Sequence, residues 1–578
     1  MISKSGLALL ALISIFGSVA SQAEGQIAPI GSPVSDLKVE AMNPLWDFRH
    51  GYHPQTPVSQ NYSHQPLPQA PVVRSDPSSG ELSVTLTVDY ANHQFTTLRD
   101  GQSVTESLTL RSYNGGMVGP TLEARPGDTL KIRLVNLLPP ETNPPSCDHH
   151  HHGHGNCNHN APHNFNTINL HTHGLHVDPT GNSDNIFIEL DHGESFDYEI
   201  HIPEDHVAGT FWYHAHVHGA TSVQTGSGLA GALIIRGDYD NIPGTRRMDE
   251  KIIMLQEIAF DDDGRIENNE TYAPTAWEDQ ALERGWHISL NGAVMPEIHL
   301  NAGSIENWRF IHAGVRKLLN LKLLPACEKD AAIPLVQMAA DGISHHSKRL
   351  SPDLGVFMAP GYRSDVAVRG VRPGVYYLVD SLESNGTASL PDSYCQAARN
   401  GSPLTMKDEA QQILAKVVVG TQLRPMLYPR NRALERLNRP APIMDSELSP
   451  ESQYVDFDID ISVSPWVGLI NGRAFDPHQP RRLTLGEAQT WYLTSTFSHH
   501  PFHIHVNPFE VIQRDSKGNI IDRYWKDTIN VPQTDPTDVA GSQVEIRTRY
   551  ENFTGAFVFH CHILDHGDHG MMEKVIIE

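Results

Sequence analysis

The sequence predicts an all-β chain built as three β-sandwiches, from a repeated turn-then-strand unit, strands of alternating polarity and a high density of turn residues. Asn114-Gly115, Asn291-Gly292 and Asn471-Gly472 are each followed about a dozen residues later by another glycine: Gly127, Gly303 or Gly486. Five to seven positions beyond those glycines stand Ile132-Arg133-Leu134, Trp308-Arg309-Phe310 and Trp491-Tyr492-Leu493. One unit therefore recurs three times, and a chain of 578 residues is long enough for one domain around each copy. Apolar residues alternate over Leu82 to Val88 and over Lys131 to Val135, the period of half-buried strands. Gly, Pro and Asn between such runs supply the turns of β-sandwiches.

Composition sets the boundaries. Residues 1–23 carry a single charge, Lys4, then an apolar run from Leu7 to Val19 and the small-residue site Ser21-Gln22-Ala23, the layout of a secretory signal peptide cleaved after Ala23 or Ala20. An exported protein, periplasmic or extracellular, is expected. No other stretch has the apolar length of a membrane span. Residues 24–78, rich in Pro, Gln and Ser, read as extended and without a core. Domain 1 is assigned to 79–240, domain 2 to 246–425 and domain 3 to 452–578, with the proline-rich 426–451 as a linker. Loss of Lys4 with the signal takes the formal charge from -25 to -26, which argues against a nucleic-acid partner.

The chemistry concentrates in histidines two residues apart. His171-Thr-His173-Gly, His214-Ala-His216, His503-Ile-His505 and His560-Cys561-His562 each place two imidazoles on one face of a strand, because successive strand side chains alternate. Any single such pair among 34 histidines is more often structural, and His176, His218, His499 and His569 read as neighbours of the ligands or as exposed residues. Four pairs together give eight imidazoles, too many for one ion, and a structural zinc site closing on four ligands leaves most of them unexplained. Three coppers sharing the eight is the economical reading. Cys561 points away from its flanking histidines. With His500, His566 five residues on and the thioether of Met571 ten residues on, it forms the ligand set of a blue-copper electron-transfer site.

H-T-H-G at 171–174, H-A-H at 214–216, H-P-F-H-I-H at 500–505 and H-C-H-I-L-D-H-G-D-H-G-M at 560–571 resemble, in order and spacing, the four copper-binding motifs of the multicopper oxidases, the family of laccases, bilirubin oxidases and bacterial cuprous oxidases. The resemblance covers roughly residues 80–578 and implies three cupredoxin-like Greek-key domains and four copper ions. By that resemblance His500, Cys561, His566 and Met571 hold the type 1 copper and His171 and His503 the type 2 copper. His173, His214, His216, His505, His560 and His562 hold the type 3 pair. Domain 2 carries no motif, so the cluster is expected between domains 1 and 3, with domain 2 as a spacer and possible substrate wall. Met571 rather than Leu as axial group implies a middling potential, and Met572 is expected to point elsewhere.

The implied reaction takes electrons singly from a small-molecule or metal-ion donor, passes them from Cys561 through His560 and His562, and reduces O2 to water. Asp184 is the candidate for orienting water and relaying protons, against an ordinary turn role. Many bacterial members carry Glu after the type 1 histidine; here that position is Gly567, and Asp565 or Asp568 are the possible substitutes. Phenols or aromatic amines are the first substrate expectation, and Cu(I) or Mn(II) the second. A copper-sequestering protein is the non-enzyme alternative, disfavoured by a complete electron-transfer ligand set. The loop 147–163, with His149 to His152, His154, His159 and His163, suits copper collection or is a solvated variable loop. The cysteines other than Cys561 suggest pairs Cys147–Cys157 and Cys327–Cys395 by proximity, among three possible connectivities.

Overall fold

The computed structural model describes residues 40–41, 65–99, 102–141, 159–260, 263–267, 288–327, 331–351, 354–381, 395 and 412–578. Its strands form six sheets in three pairs. The repeat read from the sequence is the skeleton of each pair. Asn114, Asn291 and Asn471 all adopt φ 52°, and the glycine after each is also left-handed, which makes the Asn-Gly turn the residue choice that the backbone needs. In every copy the Asn Oδ1 accepts from a strand amide, that of Thr87, Met254 or Asp456. The matching Nδ2 donates to the carbonyl two residues earlier, that of Thr85, Ile252 or Tyr454.

The second glycine of each repeat turns the chain into a strand: Thr129–Asn136, Ile305–His312 or Ala488–Ser495. Each lies parallel to the opening strand of its domain, Glu81–Arg99, Asp249–Glu257 or Gln453–Asp460. Ile132, Trp308 and Trp491 are fully buried at equivalent points of the three cores. Sandwich cores of this kind, Trp308 with Leu319 and Leu378, or Trp491 with Phe502 and Phe559, join residues from both sheets of a pair. The architecture is all-β and cupredoxin-like. The longest helix among the described residues, Thr221–Ser227, is short.

Two expectations change. Within 24–78, strand Val72–Arg74 pairs with Thr121–Ala124 at the edge of a domain 1 sheet, and Leu67 packs on the second core. Polar composition hid these contacts because edge strands are held by backbone groups, which every residue carries. Domain 2 is also more than a spacer, as its contacts with the metal-binding motifs show below. Cys327 and Cys395 are disulfide-bonded, whereas Cys147 and Cys157 and the signal segment lie outside the described residues. No helix among the described residues is long and apolar enough to cross a membrane.

Replacing Asn471 by Ala removes two side-chain hydrogen bonds and puts at φ 52° a residue that tolerates the left-handed region less well than Asn. A loss of about 2–3 kcal/mol is expected, from roughly 1 kcal/mol for each bond and for the backbone. Urea unfolding of the variant checks this; a shift below about 0.5 kcal/mol would show that the turn does not organise the domain.

Candidate metal centre

Two sheets carry the histidines, one from domain 1 and one from domain 3. Strand His171–His173 ends one sheet of domain 1 and pairs with Gly209–His214, setting His171 opposite His214. In domain 3, His500–Ile504 pairs with Gly555–Cys561, setting His503 opposite His560. The two sets of rings meet. His171 stacks on His505 and His173 on His503, both with ring centroids 3.8 Å apart, so each pair spans the first and third domains. The sequence-predicted cluster therefore assembles between them.

The imidazoles divide their nitrogens between anchoring and presenting. Nδ1 of His214 meets the Ala215 carbonyl at 2.8 Å, Nδ1 of His560 the Cys561 carbonyl at 2.9 Å and Nδ1 of His503 the Asp527 carbonyl at 2.9 Å. Asp184 holds His171 Nδ1 at 3.0 Å and accepts the Thr172 amide. The Nε2 atoms of His171, His214, His503 and His505 are then buried with no hydrogen-bond partner. Such a group costs about 1–3 kcal/mol unless something meets it. Elsewhere in the cluster His216 Nε2 faces His560 Nε2 at 3.1 Å, and His562 Nε2 faces His173 Nδ1 at 3.3 Å. Nitrogens sharing an ion at about 2 Å stand roughly 3–4 Å apart, so the spacing fits metal ligation.

Ligand atoms of His171, His503 and His505, of His171, His173 and His214, and of His216, His505 and His560 converge within 4.8 Å. Burial pushes His173, His214, His216, His503, His505 and His562 well below the usual imidazole range and His560 down to about 4, with neighbouring imidazoles adding to the effect. The rings are thus neutral near pH 7, the form that binds metal. The donor set and its orphaned nitrogens fit copper.

On the other face of the same strand, His500, Cys561 and His566 form a separate group within 4.8 Å, with Cys561 Sγ 3.8 Å from His566 Nδ1. Burial raises the Cys561 thiol well above its ordinary value, and the Ile563 amide donates to its sulfur at 3.4 Å. Met571 is fully buried in the same core as Cys561, whereas Met572 packs with Ile186 and Val558, as strand alternation requires. Trp466 stacks on His569 at 3.9 Å and meets the His566 ring edge-on at 5.5 Å.

The two candidate replacements for the missing glutamate are committed elsewhere. Arg316 of domain 2 binds both oxygens of Asp565. Asp568 accepts from the amides of Thr221 and Ser222 and from the Ser222 hydroxyl, at the start of a domain 1 helix. Each carboxylate ties helix Leu564–Asp568, which carries His566, to a different domain. Asp184 grips the rear of His171, so ligand orientation is its structural role. Of the remaining neighbours, His176 bonds the Val506 carbonyl, His499 is half-buried, and His218 packs on Phe475. His159 meets His163, and His163 meets His218, in T-shaped contacts, and Asn160 bonds the Phe475 carbonyl, so the described end of the histidine-rich loop meets domain 3.

Composition and spacing gave no sign of Asp527, Arg363 and Asp341. Asp527 Oδ1 lies 3.3 Å from His173 Nε2, behind the ligating edge. Arg363, fully buried and projecting from domain 2, binds both Asp527 oxygens and donates to the Thr210 carbonyl of domain 1. Asp341 accepts from the amides of Arg363, Asp527 and Thr528 and pairs with Lys526. Gly174, the last residue of the first motif, has φ 89°, and a β-carbon there would collide with Arg363 and Asp527. Domain 2 thus braces the cluster through a guanidinium.

Family models described as multicopper oxidase match residues 157–240 and 448–578. Domains 1 and 3 are thus multicopper oxidase domains. The chain is 26% identical to the multicopper oxidase mco of Staphylococcus aureus, over 80% of this chain and 83% of that one. To a laccase of Bacillus stratosphericus it is 24% identical, over 81% of this chain and 90% of the relative. A solved multicopper oxidase from Campylobacter jejuni, described as a metallo-oxidase, superposes with TM-score 0.62 at 20% identity, covering 91% of this chain and 99% of that one, a likeness of fold. Copper is accordingly the metal of this oxidase.

Arg363→Met leaves Asp527 buried without its countercharge, and a loss of about 3–5 kcal/mol is expected together with a lower copper content per chain. Metal analysis and thermal unfolding check it; unchanged values for both would remove Arg363 from the support of the site. In the metal-free protein, the buried imidazoles resist protonation while those of the unfolded chain bind protons below about pH 6.5. Stability is therefore complete above that value and falls with acidification toward the depressed folded values. Denaturant midpoints of the apoprotein should drop between pH 7.5 and 5.5, less so in His214→Asn.

Proposed function

We propose that this oxidase couples one-electron oxidation of phenols or aromatic amines to four-electron reduction of O2 to water, using four copper ions. His500, Cys561, His566 and Met571 hold one ion, His171 and His503 a second, and His173, His214, His216, His505, His560 and His562 a coupled pair. Bound copper supplies the one-electron redox steps and the reduction of O2. The observation that carries this reading is the placement of Cys561 and its flanking histidines on opposite faces of one strand, with the His560 Nδ1 hydrogen bond to the Cys561 carbonyl, 2.9 Å long, linking them. Electrons entering at Cys561 have a route of one peptide unit and one hydrogen bond to the cluster.

Entry is best at His566. Trp466 lies against its edge and is itself only half-buried, so an aromatic donor has an aromatic surface beside the ligand. Asp184 is proposed to relay protons to the cluster through the His171 side, as its hydrogen bonds place a carboxylate directly behind a ligand. The second reading, oxidation of Cu(I) or Mn(II), is favoured by the described foot of the histidine-rich loop, where His159, His163 and His218 gather beside domain 3. Export by the N-terminal segment is part of the proposal, since copper loading and stable disulfides both suit an oxidising compartment; sequencing of mature protein beginning at Met1 would refute it.

Oxygen uptake by the copper-loaded protein should be faster with a phenolic donor than with Cu(I) or Mn(II), and the reverse order would favour the metallo-oxidase reading. Cys561→Ser should abolish the intense visible absorption of thiolate-bound copper and reduce uptake to background. Asp184→Asn should slow O2 reduction about 10–100-fold while preserving that absorption; equal turnover in the variant and parent would exclude Asp184 from proton delivery.

A further inference from the structure

Both interdomain connectors meet in one cleft far richer in cations than the rest of this acidic chain. Segment 238–247 leaves domain 1, segment 425–437 leaves domain 2, and together they line a cavity of about 1400 Å³. Arg246, Arg247, Arg430, Arg432 and Arg436 line it, all exposed. Two arginines nearby are paired: Arg236 binds Glu123 and Glu250, and Arg424 binds Asp249. The five in the cleft form no ion pair with any described residue. Asp238, the acid in the lining, already accepts the amides of Tyr239 and Asn438. In a chain of formal charge -25, five guanidiniums gathered with no ion-pair partner among the described residues repel one another and leave a local positive field.

The walls are preformed. Gly244, at φ 118°, lets the first connector approach Pro429 of the second so closely that a β-carbon would stand 2.9 Å from the ring. Met426, Tyr428 and Leu437 belong to a cluster that also contains Tyr239 and Ile305, so the floor is apolar and anchored in the core. Guanidinium forks match tetrahedral oxyanions and carboxylates. A concave, apolar-floored cleft suits a discrete molecule.

We propose that this cleft binds a compact oligoanion, a small molecule bearing several phosphate- or sulfonate-type groups on an apolar frame, at a site independent of the copper ligands. Pyrenetetrasulfonate, a fluorescent probe of that chemistry, serves as the test ligand for the full copper-loaded protein. Its anisotropy should rise saturably at low ionic strength, with weaker binding at about 0.15 M salt, and tripolyphosphate should displace it. Arg430→Gln/Arg432→Gln/Arg436→Gln should weaken binding at least tenfold while copper content and visible absorption stay unchanged. A control removing three exposed cations elsewhere, Arg125→Gln/Arg473→Gln/Lys517→Gln, should bind as the parent does. Equal weakening in both variants, the absence of saturable binding, or sedimentation with phosphatidylglycerol vesicles without probe binding would overturn the proposal.

Discussion

Burial of imidazole nitrogens without protein partners is the constraint on which the rest of the site depends. A polar atom removed from water must be met, and at this interface the protein meets only one nitrogen of most rings. The anchoring nitrogens are fixed by backbone carbonyls and by Asp184, which leaves the other edge pointing into a space shared by the first and third domains. That arrangement is costly in an empty cavity and favourable around metal. Copper binding and domain association are therefore two aspects of one equilibrium.

The domains outside the cluster serve that equilibrium by fixing angles. Asp568 caps a helix of domain 1, Asp565 receives Arg316 of domain 2, and Leu564 donates its amide to the Val315 carbonyl, so the helix bearing His566 is gripped on several sides. Arg363 and Asp527 do the same for His173. Charged groups in these positions are desolvated at considerable cost, and their hydrogen-bond saturation is what makes them tolerable. The result is a cysteine-histidine group and an imidazole cluster held in register through one short strand.

Much of the copper site was legible because its determinants are local. Strand alternation fixes that His560 and His562 share a face and that Cys561 does not, and it also separates Met571 from Met572. The Asn-Gly repeats were legible for a related reason: a left-handed pair of residues admits few side chains, so the turn leaves a mark in the sequence. By contrast, Arg363, Asp341 and Asp527 lie in segments that carry no periodic or spacing signal. Their function arises from a meeting of chains about 160 to 190 positions apart, and neither segment shows the other's presence.

What the sequence by itself determined was the all-β repeat, the copper-ligand motifs and the division of one strand between two metal environments, since each follows from backbone period and side-chain chemistry within a few residues. Only the tertiary structure decided that Asp565 and Asp568 act as interdomain clasps, that the middle domain reaches the cluster through a buried guanidinium, and that both connectors bring five arginines into one cleft. Those outcomes depend on the packing of distant surfaces, where burial and the countercharge available in space set what a side chain does.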